Sequence, residues 1–244
     1  MLDVIGVEKT FNPGTVNEKK ALNGINLHLD EGDFVTVIGG NGAGKSTMLN
    51  MIAGVYPVDC GNIIIDGVDI THLPEHKRAK YLGRVFQDPM TGTAADMQIE
   101  ENLALAARRG ARRGLRTGIT AKERKEYKEL LKILDLGLEE RLTAKVGLLS
   151  GGQRQRVLIS RAIAGSPEIL VLDDSSSALD YKTDASLRGA LRDAFPDTTV
   201  ITVAQRVSSV KNCDLILVIE NGEIIGCGKH DELMKSCSEY KEIS

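Results

Sequence analysis

The segment Gly39-Gly40-Asn41-Gly42-Ala43-Gly44-Lys45-Ser46 is the chain's densest concentration of chemistry. It fits G-x-x-x-x-G-K-[ST]. Glycines there let successive backbone N–H groups turn inward around a polyphosphate. A helix starting near Lys45 adds the positive end of its dipole. Lys45 puts a point charge on the phosphates, and the Ser46 hydroxyl can ligate Mg²⁺. The bland alternative is a glycine turn with an incidental lysine. Context separates the two: the chemistry needs a strand before the loop and a helix after it. Three further clusters follow. Val85-Phe86-Gln87-Asp88-Pro89 sets a glutamine after a strand-like run. Leu149-Ser150-Gly151-Gly152-Gln153 is a small, polar turn that opens a helix. Ile169-Leu170-Val171-Leu172 is an apolar strand ending in the paired carboxylates Asp173 and Asp174.

The elements that must hold these residues are legible in outline. Residues 2–7 and 24–29 read as short strands separated by the turn-rich Asn12-Pro13-Gly14. An apolar run over 33–37 leads into the glycine loop, and 46–53 has helical character. Strand, glycine loop and helix together open a parallel α/β sheet. Residues 94–148 change character. Helical patterns over 100–107 and 120–136, the latter with Tyr127, Leu130, Leu131 and Leu134 at helical spacing, indicate a helical insertion. The continuous apolar runs over 168–172 and 199–203 suit buried parallel strands. Residues 215–226 read as a hairpin turning at Asn221-Gly222.

Composition excludes several classes. The chain has 244 residues, 42% hydrophobic and 27% charged, which is ordinary globular composition. That length suits one domain with an inserted subdomain. Apolar runs such as 169–172 and 215–219 fall far short of the ~20 residues that span a bilayer. The opening MLDVIGVEK shows no secretory signal. The four cysteines, Cys60, Cys213, Cys227 and Cys237, are too widely spaced for a metal site and read as reduced thiols. A net charge of -3 gives no general reason to expect nucleic acid. The arginines Arg108, Arg109, Arg112, Arg113 and Arg116 have no interleaved aromatics, so they are expected on a solvated face or against another protein.

The order of these motifs along the chain, including Ser177-Ala178-Leu179-Asp180, resembles the nucleotide-binding subunit of ABC transporters. Leu149-Ser150-Gly151-Gly152-Gln153 is similar to that family's signature. The resemblance implies a P-loop, RecA-like α/β core with a mostly parallel sheet, an N-terminal antiparallel β subdomain and an inserted helical subdomain. The division it implies is 1–86 and 157–244 for the core and 87–156 for the helical part. It implies ATP held by Gly39, Asn41, Gly42, Ala43, Gly44, Lys45, Ser46 and Thr47. Phe11 would stack on adenine, although a core phenylalanine is the plain alternative. Mg²⁺ would be held by Ser46, Gln87 and Asp173. Ser150, Gly151, Gly152 and Gln153 would bind the nucleotide of a second protomer, with Asp180 at the interface. The implied partners are a membrane-spanning subunit and a second ABC ATPase, in a homodimer or heterodimer. The implied location is cytoplasmic, at the membrane's inner face through the partner, where the arginine stretch could meet a cytoplasmic loop. An ABC ATPase unrelated to transport is the remaining class, but neither long coiled coils nor a second such domain is present.

Two positions depart from the family pattern. Asp174 stands where the family usually has the glutamate that acts as base for the attacking water. Aspartate is one methylene shorter. A placed base is worth about 10²–10⁴-fold, and misplacement loses much of that. Gln205 stands where the family has a histidine that contacts the γ-phosphate, and glutamine cannot carry a proton. The histidines present, His28, His72, His76 and His230, read as ordinary surface or turn residues. The resemblance therefore implies catalysis through Lys45, Gln87, Asp174 and Gln205, with slow turnover. In style, residues up to about Gln153 resemble free-standing importer ATPases. The rest resembles the degenerate domain of heterodimeric exporters, as in a natural or constructed mosaic.

Overall fold

The computed structural model describes residues 1–86, 88, 90–110, 118–134, 137–173, 181–203 and 213–243. Alternating apolar and polar side chains give β1 (Leu2–Phe11) and β2 (Lys19–Leu29) one buried face each. They pair antiparallel and join β4 (Cys60–Ile65) and β5 (Val68–Asp69) in a sheet ordered β2-β1-β4-β5.

The second sheet has six strands, ordered β10-β9-β3-β8-β7-β6. It comprises β3 (Phe34–Ile38), β6 (Leu82–Val85), β7 (Ile169–Leu172), β8 (Thr199–Val203), β9 (Leu215–Glu220) and β10 (Glu223–Gly228). All neighbours are parallel except the antiparallel edge strand β10. Strands β3, β7 and β8 are buried along their whole length, which is why they are almost purely apolar. The β9–β10 turn has Asn221 at φ 49° and Gly222 at φ 80°, the signs that an Asn-Gly hairpin requires.

The helices are α1 (Lys45–Ala53), α2 (Glu75–Arg78), α3 (Ile99–Ala107), α4 (Ala121–Ile133), α5 (Gly151–Ile163), α6 (Tyr181–Ala194), α7 (His230–Ser236) and α8 (Ser238–Ile243). Thr120 and Glu123 form a capping box that starts α4, and Ser150 and Gln153 do the same for α5. One apolar cluster joins Leu103, Leu131 and Leu158 of the helical stretch to Val85, Leu170 and Leu172 of the sheet. The other joins the antiparallel sheet to α1 and the opposite sheet face through Ile25, Met48, Ile63, Val171 and Ile201. Helix α5 runs unbroken through residues 156 and 157 and so belongs to the sheet and the helical stretch alike.

Two arginines hold helix ends. Arg78 is 1% exposed and donates to the carbonyls of Met51 (2.6 Å) and Ile52 (2.9 Å), closing the end of α1. It also donates to Thr71 O and Leu73 O, both at 2.7 Å. Arg109 corrects an expectation: it does not lie on a solvated face. It is half-buried and donates to Ala106 O (3.1 Å) and to Ala162 O (2.8 Å) at the end of α5. No local pattern signals the second of these bonds, because Ala162 is 53 residues away in sequence. Arg108 is exposed and pairs with Glu123 at 2.8 Å. Arg112, Arg113 and Arg116 lie outside the described residues.

His28, His72 and His76 are exposed; His230 is half-buried and bonded to the Tyr240 hydroxyl at 2.7 Å, so it is more than a surface residue. All four cysteines are free thiols, with Cys213 and Cys237 buried. Among the described residues no helix is long and apolar enough to cross a membrane.

Candidate functional site

The glycine loop leaves β3 and enters α1, as the sequence predicts. Its conformation favours glycine at Gly39, Gly42 (φ 80°) and Gly44, and at the first and last of these the space also requires it. Gly39 has φ 150°, and a Cβ there would collide with the carbonyl oxygen of Ile219. Gly44 has φ 112°, and its Cβ would lie 2.7 Å from the carbonyl oxygen of Ala21. The β9–β10 turn braces the loop from beneath. Gly222 N donates to Ala43 O at 2.9 Å, and Asn23 N donates to Gly222 O at 2.8 Å. The loop therefore rests on the C-terminal hairpin and on β2. Nothing in the local sequence of the loop signals this floor.

Lys45 is half-buried, and its ammonium donates to the carbonyls of Gly39 and Gly40, both at 2.8 Å. Lys45 is thus folded back along its own loop. A cleft of about 470 Å³ opens over the loop. Asn41, Gly42, Ala43, Gly44, Lys45, Ser46 and Thr47 line it, together with Phe11, Lys19, Ala21, Asp173 and Val203. Gly39 does not line it and packs against the Ile219 carbonyl. Phe11 is half-buried and meets Tyr56 edge-on at 5.2 Å, so it is a wall of the cleft more than a member of either core.

Asp173 follows the last residue of β7, and its N–H donates to Val85 O at 3.0 Å, which extends the ladder. The strand register brings the carboxylate to the loop. Arg84, 4.0 Å away, is bonded to Asn50 of α1 at 2.6 Å. Burial pushes the Asp173 carboxyl up, opposed by the charges of Arg84 and Lys45. The Ser46 hydroxyl is exposed at the start of α1. A hydroxyl and a carboxylate sharing one cleft are hard oxygen donors of the kind that suit Mg²⁺.

The signature residues do not line this cleft. Ser150 is exposed at the N-cap of α5, where its hydroxyl accepts from Gln153 N at 3.3 Å. Gln153 Oε1 accepts in return from Ser150 N at 3.2 Å. Gly151 and Gly152 have no positive φ, and a Cβ on either would meet nothing within 4 Å. Among the described residues nothing requires glycine there. Arg154 donates to Gly147 O at 3.0 Å, bracing the turn that presents Ser150. Gln87, Asp174, Asp180 and Gln205 lie outside the described residues. Sequence reasoning missed Lys19, Ala21 and Val203 in the cleft wall, since none belongs to a motif.

The sequence profile of the ABC transporter family matches residues 22–177. The chain is 34% identical over 230 residues to a tyrosine transport ATP-binding protein of Clostridioides difficile, covering 92% of this chain and 90% of that protein. It is 33% identical to the ABC multidrug transporter mdr1 of Aspergillus fumigatus, over 96% of this chain but only 17% of that protein. Among solved structures, it superposes with a TM-score of 0.82 and 31% identity on the dimeric ATP-binding cassette MJ0796 bound to ADP and Pi, covering 94% and 98% of the two chains. With a bacterial Atm1-family ABC exporter with ATP bound, the TM-score is 0.82 at 29% identity, over 99% of this chain and 41% of that one. The chain belongs to the ABC transporter family, and its fold is that of the family's ATP-binding cassettes.

Proposed function

We propose that this chain binds Mg²⁺-ATP in the cleft over the glycine loop, closes head-to-tail with a second cassette and drives a separate membrane subunit. The observation that carries the reading is the separation of the two half-sites. The phosphate loop opens on one cleft, while Ser150, Gly151 and Gly152 are presented outward elsewhere with open space around both glycines. A second cassette would bring its own Ser150 turn to this loop. The N-terminus of α5 would then face the γ-phosphate with a positive dipole end. The protein would work at the cytoplasmic face of the membrane through that partner. The division into a core (1–86 and 157–244) and a helical part (87–156) belongs to the same proposal, with α5 shared between them.

In hydrolysis, a water oxygen attacks the γ-phosphorus as the bond to the bridging oxygen of ADP breaks. Lys45 and the opposing Ser150 turn would stabilise the charge that develops on the phosphoryl oxygens. Mg²⁺, held by Ser46 and Asp173 with Gln87, would supply further charge neutralisation. Asp174 would accept the water's proton, and Gln205 would offer only a hydrogen bond. Turnover is therefore expected to be slow while nucleotide binding stays tight.

The same two residues favour a second reading: a nucleotide-binding partner that completes another subunit's active site. Measuring ATP affinity and steady-state turnover, alone and with a competent partner cassette, separates them. Turnover by the isolated homodimer supports the first reading. Turnover only in the mixed dimer, sensitive to this chain's signature but not to its Lys45, supports the second. The mosaic also stands as a proposal: residues before and after about Gln153, aligned separately, would find their nearest relatives among importers and exporters respectively.

A further inference from the structure

Three lysines crowd the end of the β1–β2 hairpin that overhangs the phosphate loop. Lys9 is held by Asp59 at 2.6 Å, and Lys20 by Glu8 at 3.2 Å. Lys19 differs: among the described residues it has no carboxylate partner. It is exposed, and it lines the cleft. A Cβ built on Gly42 would stand 3.5 Å from its Nζ, so the ammonium sits directly over the phosphate loop. Across the antiparallel ladder Lys19 is the register partner of Phe11, which lines the same cleft. An ammonium in a cleft, with no carboxylate partner among the described residues, is available to neutralise a ligand.

We propose that Lys19 is a second phosphate-binding cation, contacting the nucleotide's polyphosphate chain from the solvent side of Gly42 while Lys45 contacts it from the loop. This rests on the reading of the cleft as a nucleotide site. Phe11 and Lys19 then form a cross-strand pair, with an aromatic for the base and a cation for the phosphates. The ligand class is a nucleoside di- or triphosphate. The contribution grows with the ligand's phosphate charge and is screened by salt.

The test titrates wild type, Lys19→Met, Lys19→Arg and Lys20→Met with ATP, ADP and adenosine at low and high ionic strength, with melting temperatures as a fold control. Lys19→Met is expected to weaken ATP and ADP about two- to fivefold at low salt, the range of an exposed charge pair. It should change adenosine less than about twofold and flatten the salt dependence. Lys19→Arg should stay within about twofold of wild type, and Lys20→Met should behave as wild type. Equal ATP affinity in Lys19→Met and wild type would overturn the proposal, as would an equal loss for adenosine and ATP. A wild-type chain that binds no ATP at all would instead sink the nucleotide reading beneath it.

Discussion

Arg78 carries a charge into the interior and answers it with backbone carbonyls from two elements. Burial lowers its pKa, with a weak opposing pull from Asp69. Removing the guanidinium takes its donors from all four carbonyls, of which Met51 O keeps the Gly54 N–H at 3.1 Å, at roughly 1–3 kcal/mol for each group left buried and unpaired. Arg78→Met is therefore expected to destabilise the fold by about 2–4 kcal/mol in denaturant titrations. Arg78→Lys should not restore it, because an ammonium lacks the planar fork. At the same scale, Asp174→Glu combined with Gln205→His is expected to raise ATP turnover at least tenfold, restoring a base and a proton-bearing contact. A double variant no faster than its parent would place the limit elsewhere. The phosphate loop was readable residue by residue, since its glycines are fixed by the geometry they must adopt. Arg78 and Lys19 were not, since each acts on residues far away in sequence.

Helices α3 and α4 are stapled by two ion pairs. Arg124 grips Glu100 with bonds of 2.6 and 2.8 Å, and Arg108 meets Glu123 at 2.8 Å. The hydrogen bond from Arg124 holds the Glu100 carboxyl below its usual range. That from Arg108, with Thr120, brings Glu123 down to about 2. Carboxylates with depressed pKa stabilise the fold above their ordinary value near 4.5 and lose that contribution as pH falls towards 2. A Glu100→Gln/Glu123→Gln variant should therefore melt below wild type at pH 7 and converge with it as the pH falls towards 2. A gap that persists at that pH would point to packing instead. The sequence placed α3 and α4 well, because apolar spacing is a local signal. It did not draw β4, α2 or α6 to α8. Cys60–Ile65 begins with polar, exposed residues, and α2 has four residues. The strand order, with β3 between β9 and β8, is a matter of crossovers that no local pattern carries.

At the scale of the whole molecule, the proposed function makes the cassette one half of a dimer whose interface the signature turn would form. Gly151 is exposed at the first turn of α5, and among the described residues no atom comes within 4 Å of a Cβ built on it. Aspartate there suits a helix N-terminus. Gly151→Asp is therefore expected to change monomer stability by no more than about 0.5 kcal/mol. It should cut ATP-dependent dimerisation and turnover at least tenfold, because its carboxylate would face a partner's phosphates. Sedimentation with and without ATP reads the first effect, and phosphate release the second. A variant that dimerises normally would remove the signature turn from the interface.

The hairpin floor under the phosphate loop also says where this chain can be trimmed. The family's sequence profile ends at residue 177, a natural choice of boundary for a minimal fragment. Such a fragment would contain every residue of the loop. It would lack Ile219, whose carbonyl backs Gly39, and Gly222, whose N–H holds Ala43. The smallest piece that keeps the loop's shape must extend at least through Glu223, which is bonded to Asn23. Fusions placed after β10 should spare nucleotide binding, and insertions into the Asn221-Gly222 turn should abolish it.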